Sequence, residues 1–329
     1  DMPSNVTSYN IQSNGFRSVD NNEIAENTTV NGVYYEKGSF SYKKLQNLVT
    51  LNVLGNYNLN DGPHTLASAD TISSINYSVT EVAIPTNLGG KSNLTSFTAT
   101  DNRNSVNQLV DNSTGQYLFD GCVSLDSLNF YSTNLGLINF PTNFGNPSLT
   151  TLDLRYTSIL GGKPTVAPGA QEYVIYAETF KDATALTNLY IDSDFLGAGF
   201  ASDKNRIHPD AFLFNPNLKY IWYRSHKSTT GNITQLFSSN PNLETIYMEK
   251  NAFTGTIPNF QANPNINYIN LQNNSLSGTI PAFSNLRKLG EIYLESNNLT
   301  EIGEVEDLPN LQTYQAPNNQ LAGQIPSFN

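Results

Sequence analysis

The feature that most constrains this chain is a spacing. Leu243, Ile246, Met248, Asn251 and Phe253 stand at intervals that recur as Ile266, Ile269, Leu271, Asn274 and Leu276. They recur again as Leu289, Ile292, Leu294, Asn297 and Leu299, and as Leu311, Tyr314, Ala316, Asn319 and Leu321. The starts lie 23, 23 and 22 residues apart. A fixed period of this length marks an array of small units, because none so short can bury its own apolar face. The phase continues upstream with longer gaps, through units led by Leu218, Leu186, Leu149, Leu125, Leu94, Ile72 and Leu48, to Val6 near the start. That makes twelve candidate units.

A second register is locked to the first. Six residues before the leading position stands Leu66, Leu88, Phe119, Phe180, Phe212, Phe237, Phe260 or Phe283. Three residues before it often stands a small or polar residue, as at Cys122, Ala183, Asn215, Asn240 and Asn263. Two registers in one phase are far harder to reach by chance than one short motif.

The pattern resembles that of leucine-rich repeat proteins, L-x-x-L-x-L-x-x-N-x-L, over nearly the whole chain. Thr254-Gly-Thr-Ile257-Pro258, Ser277-Gly-Thr-Ile280-Pro281 and Ala322-Gly-Gln-Ile325-Pro326 resemble the plant-type ending. The Phe119, Cys122, Leu125, Leu128 unit is similar instead to bacterial and protist surface repeats. The resemblance implies a right-handed solenoid arc of about twelve repeats. Its concave face would be a parallel β-sheet, with irregular loop insertions and few helices.

Physical chemistry accounts for the spacing. Each unit lays down one short strand, about residues 245–249 in the best case, with Ile246 and Met248 inward and Thr245, Tyr247 and Glu249 outward. An Asn at the following turn bonds backbone groups that would otherwise be buried bare. Asn14, Asn56, Asn102, Asn251, Asn274, Asn297 and Asn319 fill that slot and account for part of an unusual 46 Asn. The phenylalanines pack from the convex side.

Composition narrows the function. With 17 Lys+Arg against 28 Asp+Glu, the net charge is −11. That opposes general nucleic-acid binding and docking on anionic lipid. No apolar run approaches a membrane span, so no membrane insertion is expected. The single cysteine, Cys122, excludes an intrachain disulfide and a cysteine-based zinc cluster, and it occupies a core slot. His64, His208 and His226 lie far apart with no nucleophile at a recognisable motif. Carboxylates such as Asp192 with Asp194, or Glu301, Glu304 and Glu306, read as solvated faces. No metal and no cofactor is expected.

Five segments exceed the period, at 17–39, 103–117, 161–179, 197–209 and 226–236. They are expected to emerge as loops; Tyr173-Val-Ile-Tyr176 is apolar enough to pack back on the stack. Neither end resembles a polar cap, so residues 1–329 are expected to form one solenoid that is part of a longer chain, or whose ends dock on other chains.

Function is sought on the outward strand positions. They are small and polar in the first units, such as Ser74, Asn76 and Ser78. Later they become Tyr190 and Asp192, then Tyr220, Trp222 and Arg224, then Tyr247 and Glu249, then Tyr268, and then Tyr293. The central residues Tyr190, Trp222, Tyr247, Asn270 and Tyr293 are expected to form one row, with adjacent strands ~4.8 Å apart. Tyr, Trp and Arg dominate binding hot spots, although such a row also packs against itself as ordinary strand residues do. The expected function is a non-catalytic extracellular recognition or adhesion module binding a protein or a glycan, on a microbial surface or a virion receptor-binding appendage. The alternative is a structural spacer or assembly component with end-to-end contacts to other chains. A glycan-active enzyme stands third, since no catalytic constellation is present.

Overall fold

The computed structural model describes residues 8–10, 28–30, 33–35, 49–52, 70–78, 88–102, 109–110, 116–133, 135, 141, 143–157, 175–192, 207–225, 230–305 and 307–323. The chain divides into two compact units. The first comprises Asp1–Asn139, Gly145–Leu149 and Asp153–Leu160; the second comprises Phe140–Phe144, Thr150–Leu152 and Gly161–Asn329.

In the first unit, strands β1 (Ser8–Asn10), β4 (Thr50–Asn52), β5 (Ser74–Asn76), β6 (Ser96–Thr98) and β7 (Ser127–Asn129) pair in that order, all parallel. Register places Leu51, Ile75, Phe97 and Leu128 in one column, each at most 1% exposed. Between β1 and β4, strands β2 (Thr28–Val30) and β3 (Val33–Tyr35) pair antiparallel within the 17–39 insertion. They flank an Asn31-Gly32 pair, the composition that tight hairpins favour.

Strand β8 (Thr151–Asp153) falls at the division. In the second unit, β9 (Asn188–Asp192), β10 (Tyr220–Arg224), β12 (Thr245–Tyr247), β14 (Tyr268–Asn270), β16 (Glu291–Tyr293) and β18 (Thr313–Gln315) form the parallel ladder. Its inward column runs Leu189, Ile221, Ile246, Ile269, Ile292, Tyr314. Parallel neighbours need long crossovers, and the rest of each period supplies them. Part of each crossover from β10 onward becomes a second strand. Here β11 (Thr230–Asn232) pairs with β13 (Ala252–Thr254), and β15 (Ser277–Ile280) with β17 (Asn298–Ile302). The 226–236 insertion is thus partly strand rather than loop. Ile175, at the end of the 161–179 insertion, is fully buried and bridges to Ile207; Tyr173 lies outside the described residues. No helix occurs among the described residues, and none is long and apolar enough to cross a membrane.

Three side-chain ladders hold the second unit together. Phe144, Phe180, Phe212, Phe237, Phe260 and Phe283 form a spine with ring centroids 5.5, 6.1, 6.1, 6.2 and 6.2 Å apart. Each such pair contributes roughly 0.5–1.5 kcal/mol beyond the area it buries. The turn asparagines form the second ladder. Asn251 Nδ2 donates to Tyr223 O and Met248 O, both at 2.9 Å, and the pattern repeats at Asn274, Asn297 and Asn319. In the first unit, Asn102 does the same toward Tyr77 O. Asn14 and Asn56 lie outside the described residues.

The third ladder was not anticipated as one. Asn215, Asn240 and Asn263 each donate to two buried carbonyls at 2.8–2.9 Å, including those of the preceding turn. Cys122 takes the same slot in the first unit, with Sγ 3.0 Å from Leu88 O, and burial pushes its thiol pKa up. A core thiol is what that slot requires.

A further regularity concerns the backbone. Among the described residues, the position before the turn slot is left-handed: Asp101, Ser132, Tyr156, Ser225, Lys250, Asn273, Ser296 and Asn318 have φ between 55° and 65°. That conformation turns the chain out of the strand at a cost of about 1–2 kcal/mol for a residue with a Cβ. Where the next residue is described, its ladder bonds offset it.

Candidate ligand-binding face

The outward side chains of the second unit follow directly from the register. Tyr190, Trp222, Tyr247, Asn270, Tyr293 and Gln315 are consecutive partners across β9, β10, β12, β14, β16 and β18. The expected central row therefore exists. One row over, Asn188, Tyr220, Thr245, Tyr268, Glu291 and Thr313 are partners.

The rings do not stay in their rows. Trp222 and Tyr247 lie 4.5 Å apart, Tyr247 and Tyr268 4.6 Å, and Tyr268 and Tyr293 5.6 Å, all tilted. Tyr268 leans from the adjacent row to fill the break that Asn270 would leave. Asn270 is only 6% exposed, and its Oδ1 accepts from Gln272 N–H. The result is one continuous track of four rings. Burial, then the neighbouring Tyr247, raises the Tyr268 phenol pKa above its ordinary range. The hydrogen bond from Tyr293 OH to Glu291 Oε2, at 2.7 Å, does most to raise that of Tyr293. Both phenols therefore stay neutral at physiological pH.

At one end of the track sits a charged cluster. Arg224 Nε donates to Asp192 Oδ2 at 2.9 Å, and Arg224 Nη1 to Glu249 Oε1 at 3.2 Å. Trp222 Nε1 donates to the same Asp192 oxygen at 3.3 Å. The guanidinium carbon lies 4.4 Å from the Trp222 centroid, within cation–π range. Partial burial works against the Arg224 charge, but Asp192 and then Glu249 more than compensate and raise its pKa. Asp192 is 1% exposed and Glu249 4%, so neither is the solvated carboxylate that its outward position implied. Trp222 and Arg224 cover the first, and Arg224 lies against the second. Asp192 Oδ1 and Glu249 Oε2 have no hydrogen-bond partner among the described residues.

The remaining candidates lie off this ring track. Tyr220 is 37% exposed and donates through its hydroxyl to Glu244, 3.0 Å away. His208 Nδ1 accepts from Asp210 N–H and shapes a turn. Glu301 accepts from Thr279, while Asp194, His226 and Glu306 lie outside the described residues. Among the described residues, no group of three or more His, Cys, Asp or Glu is placed to hold a metal ion. The first unit carries a smaller cluster that the outward positions only half revealed. Arg155 pairs with Asp153 at 2.6 Å and lies 5.5 Å over Tyr131, which meets Tyr156 edge-on.

No protein-family model matches the chain, and neither does any curated protein. Solved structures do. The plant peptide hormone receptor RGFR1 in complex with RGF2 superposes with a TM-score of 0.62 at 20% identity, over 88% of this chain and 47% of the receptor. An internalin from Listeria monocytogenes superposes at 0.54 and 16% identity, over 88% of this chain and 79% of the internalin. The chain has the leucine-rich repeat fold. A TDR receptor shares it at a TM-score of 0.59 and 17% identity, over 86% of this chain and 49% of the receptor. This leucine-rich repeat chain thus spans about half the length of the two receptors.

Proposed function

We propose that this leucine-rich repeat chain is a non-catalytic recognition module that binds a protein or peptide outside the cell. The ring track Trp222–Tyr247–Tyr268–Tyr293 carries the reading, together with the Asp192–Arg224–Glu249 cluster at its end. Aromatic side chains held rigid by their neighbours offer large contact area at little entropic cost. Arg224 and Trp222 are locked in place before any ligand arrives. A peptide hormone receptor and an internalin among the structural neighbours support the extracellular, protein-binding reading. Attachment to a microbial or virion surface would be one setting for such a module, and a glycan is the competing ligand class.

The test is an unbiased screen of the full chain against a displayed peptide library and a glycan array. Trp222→Ala and Tyr247→Ala should then weaken any selected peptide by about thirtyfold or more, as ~2 kcal/mol hot spots do. Far-ultraviolet circular dichroism should be unchanged. Selected ligands that bind both variants as tightly as the parent chain would refute this face as the site.

A further inference from the structure

The ring track lies in an acidic setting, and the molecule itself supplies one example of what that setting accepts. Arg224 places its guanidinium on an indole and between two carboxylates. The same ingredients recur along the track without an internal cation. Parallel pairing continues past the strands, with Lys250 N–H to Gln272 O at 3.0 Å and Asn273 N–H to Glu295 O at 2.8 Å. Glu249, Gln272 and Glu295 therefore continue the row that Asp192 and Arg224 begin. On the other side of the track stands Glu291.

Charge completes the argument. The outward positions from Asn188 to Gln315 hold Asp192, Glu249, Glu291 and Glu295 against Arg224 alone. Arg224 is already held by Asp192 and Glu249. Glu249 retains a buried oxygen with no partner, and Glu295 has no ion pair or side-chain hydrogen bond among the described residues. The electron-rich faces of Tyr247, Tyr268 and Tyr293 attract cations rather than anions. A neutral or acidic ligand would leave these carboxylates uncompensated as it expelled water from around them.

Resting on the recognition reading above, we propose that the occupant of this face is a basic peptide segment. Its arginine or lysine side chains lie on the Tyr247–Tyr268–Tyr293 rings, with Glu291 on one side and Glu249 and Glu295 on the other. Arg224 closes the Trp222 end and directs the incoming cations toward Glu291 and Glu295.

The experiment titrates the full chain with hexa-arginine, hexa-glutamate and a Gly/Ser hexapeptide. It reads the emission of Trp222, the only tryptophan in the chain, together with calorimetric affinity. Hexa-arginine alone should bind and shift the Trp222 emission. A Glu291→Gln/Glu295→Gln double variant should weaken it at least tenfold. Glu301→Gln/Glu304→Gln, the same charge change away from the track, should leave it within twofold. Equal weakening by both double variants would overturn the proposal in favour of diffuse attraction to an acidic protein. Failure of hexa-arginine to bind, with track-dependent binding of neutral or acidic library peptides, would overturn it while leaving the recognition reading intact. Failure of every ligand to depend on Trp222 and Tyr247 would overturn both.

Discussion

Asn297 offers the sharpest test of what holds the repeats together. Its Nδ2 donates to Leu271 O at 3.0 Å, Leu294 O at 3.1 Å and Glu295 O at 3.3 Å. Its Oδ1 accepts from the buried Leu276 N–H at 3.0 Å. In Asn297→Ala the two inner carbonyls keep other donors, Asn274 Nδ2 on Leu271 O and Asn319 Nδ2 on Leu294 O. The Leu276 amide loses its acceptor. One orphaned buried amide costs about 1–3 kcal/mol, and the shared bonds add roughly another 1 kcal/mol. Repeat stacks open locally, so the direct assay is hydrogen exchange at the Leu276 amide. Its protection should fall roughly thirtyfold to several hundredfold. Asn297→Asp keeps the acceptor for Leu276 but turns an oxygen toward three carbonyls. Its carboxyl pKa is then raised in the fold, so the proton is held more tightly there than in the unfolded chain. The penalty should be least below pH ~4 and grow as pH rises through the elevated pKa. Leu276 protection within threefold of the parent in Asn297→Ala, or an Asp variant insensitive to pH, would refute the ladder as a source of stability.

Four further outcomes follow from the same geometry. Phe237→Ala removes a fully buried ring stacked between Phe212 and Phe260. It should cost about 3–5 kcal/mol by denaturant titration, and Phe237→Leu clearly less. Gly255→Ala places a Cβ against Asn232 Oδ1, and 2.8 Å from Thr234 Oγ1, at φ 89°. It should lower the melting temperature by several degrees, whereas Gly323→Ala, with nothing within 4 Å, should lower it less. Burial pushes the Tyr314 pKa up to about 12, and Tyr268 is raised as well. Their stabilising effect is full below pH ~10 and is lost as pH climbs through the raised values. Melting temperature against pH should therefore show no tyrosine-linked loss between pH 7 and 9 and a decline above 10. Lys250→Gly relieves a left-handed Cβ at φ 60°, worth about 1–2 kcal/mol, against roughly 0.5–1 kcal/mol of added chain entropy, and should stabilise the fold by up to about 1 kcal/mol. A loss of stability in chemical denaturation would refute that strain.

The sequence was most informative where one residue type satisfies one recurrent need. Leu189, Ile221, Ile246, Ile269 and Ile292 form the inward column that their spacing implies, because alternation along a strand permits no other face. The turn asparagines and the phenylalanines were legible for the same reason. The left-handed residue before each turn asparagine was not. Its identity varies among Asp, Ser, Lys and Asn, because the backbone bonds around it, rather than its side chain, enforce the conformation. The ladder of Asn215, Asn240 and Asn263 looked like a tolerated small-polar slot, since Cys122 and Ala183 share it. On the outward face, sequence order assigns rows but not leaning. That Tyr268 would close the gap over Asn270 depends on diagonal contacts between strands, and that Arg224 would cover Asp192 and Glu249 depends on its reaching both lateral neighbours at once. Those contacts follow from side-chain length and rotamer, which a one-dimensional register does not carry.

The four-ring track also has a direction. It starts at an indole already covered by a guanidinium and ends at a phenol bonded to Glu291, with Glu295 on the same face. Reversing a ligand on it would exchange a cation-capped end for an anionic one. Segments of identical composition but opposite sequence polarity would then be different ligands. The face would read order as well as content, with the parallel strands beneath serving as its ruler.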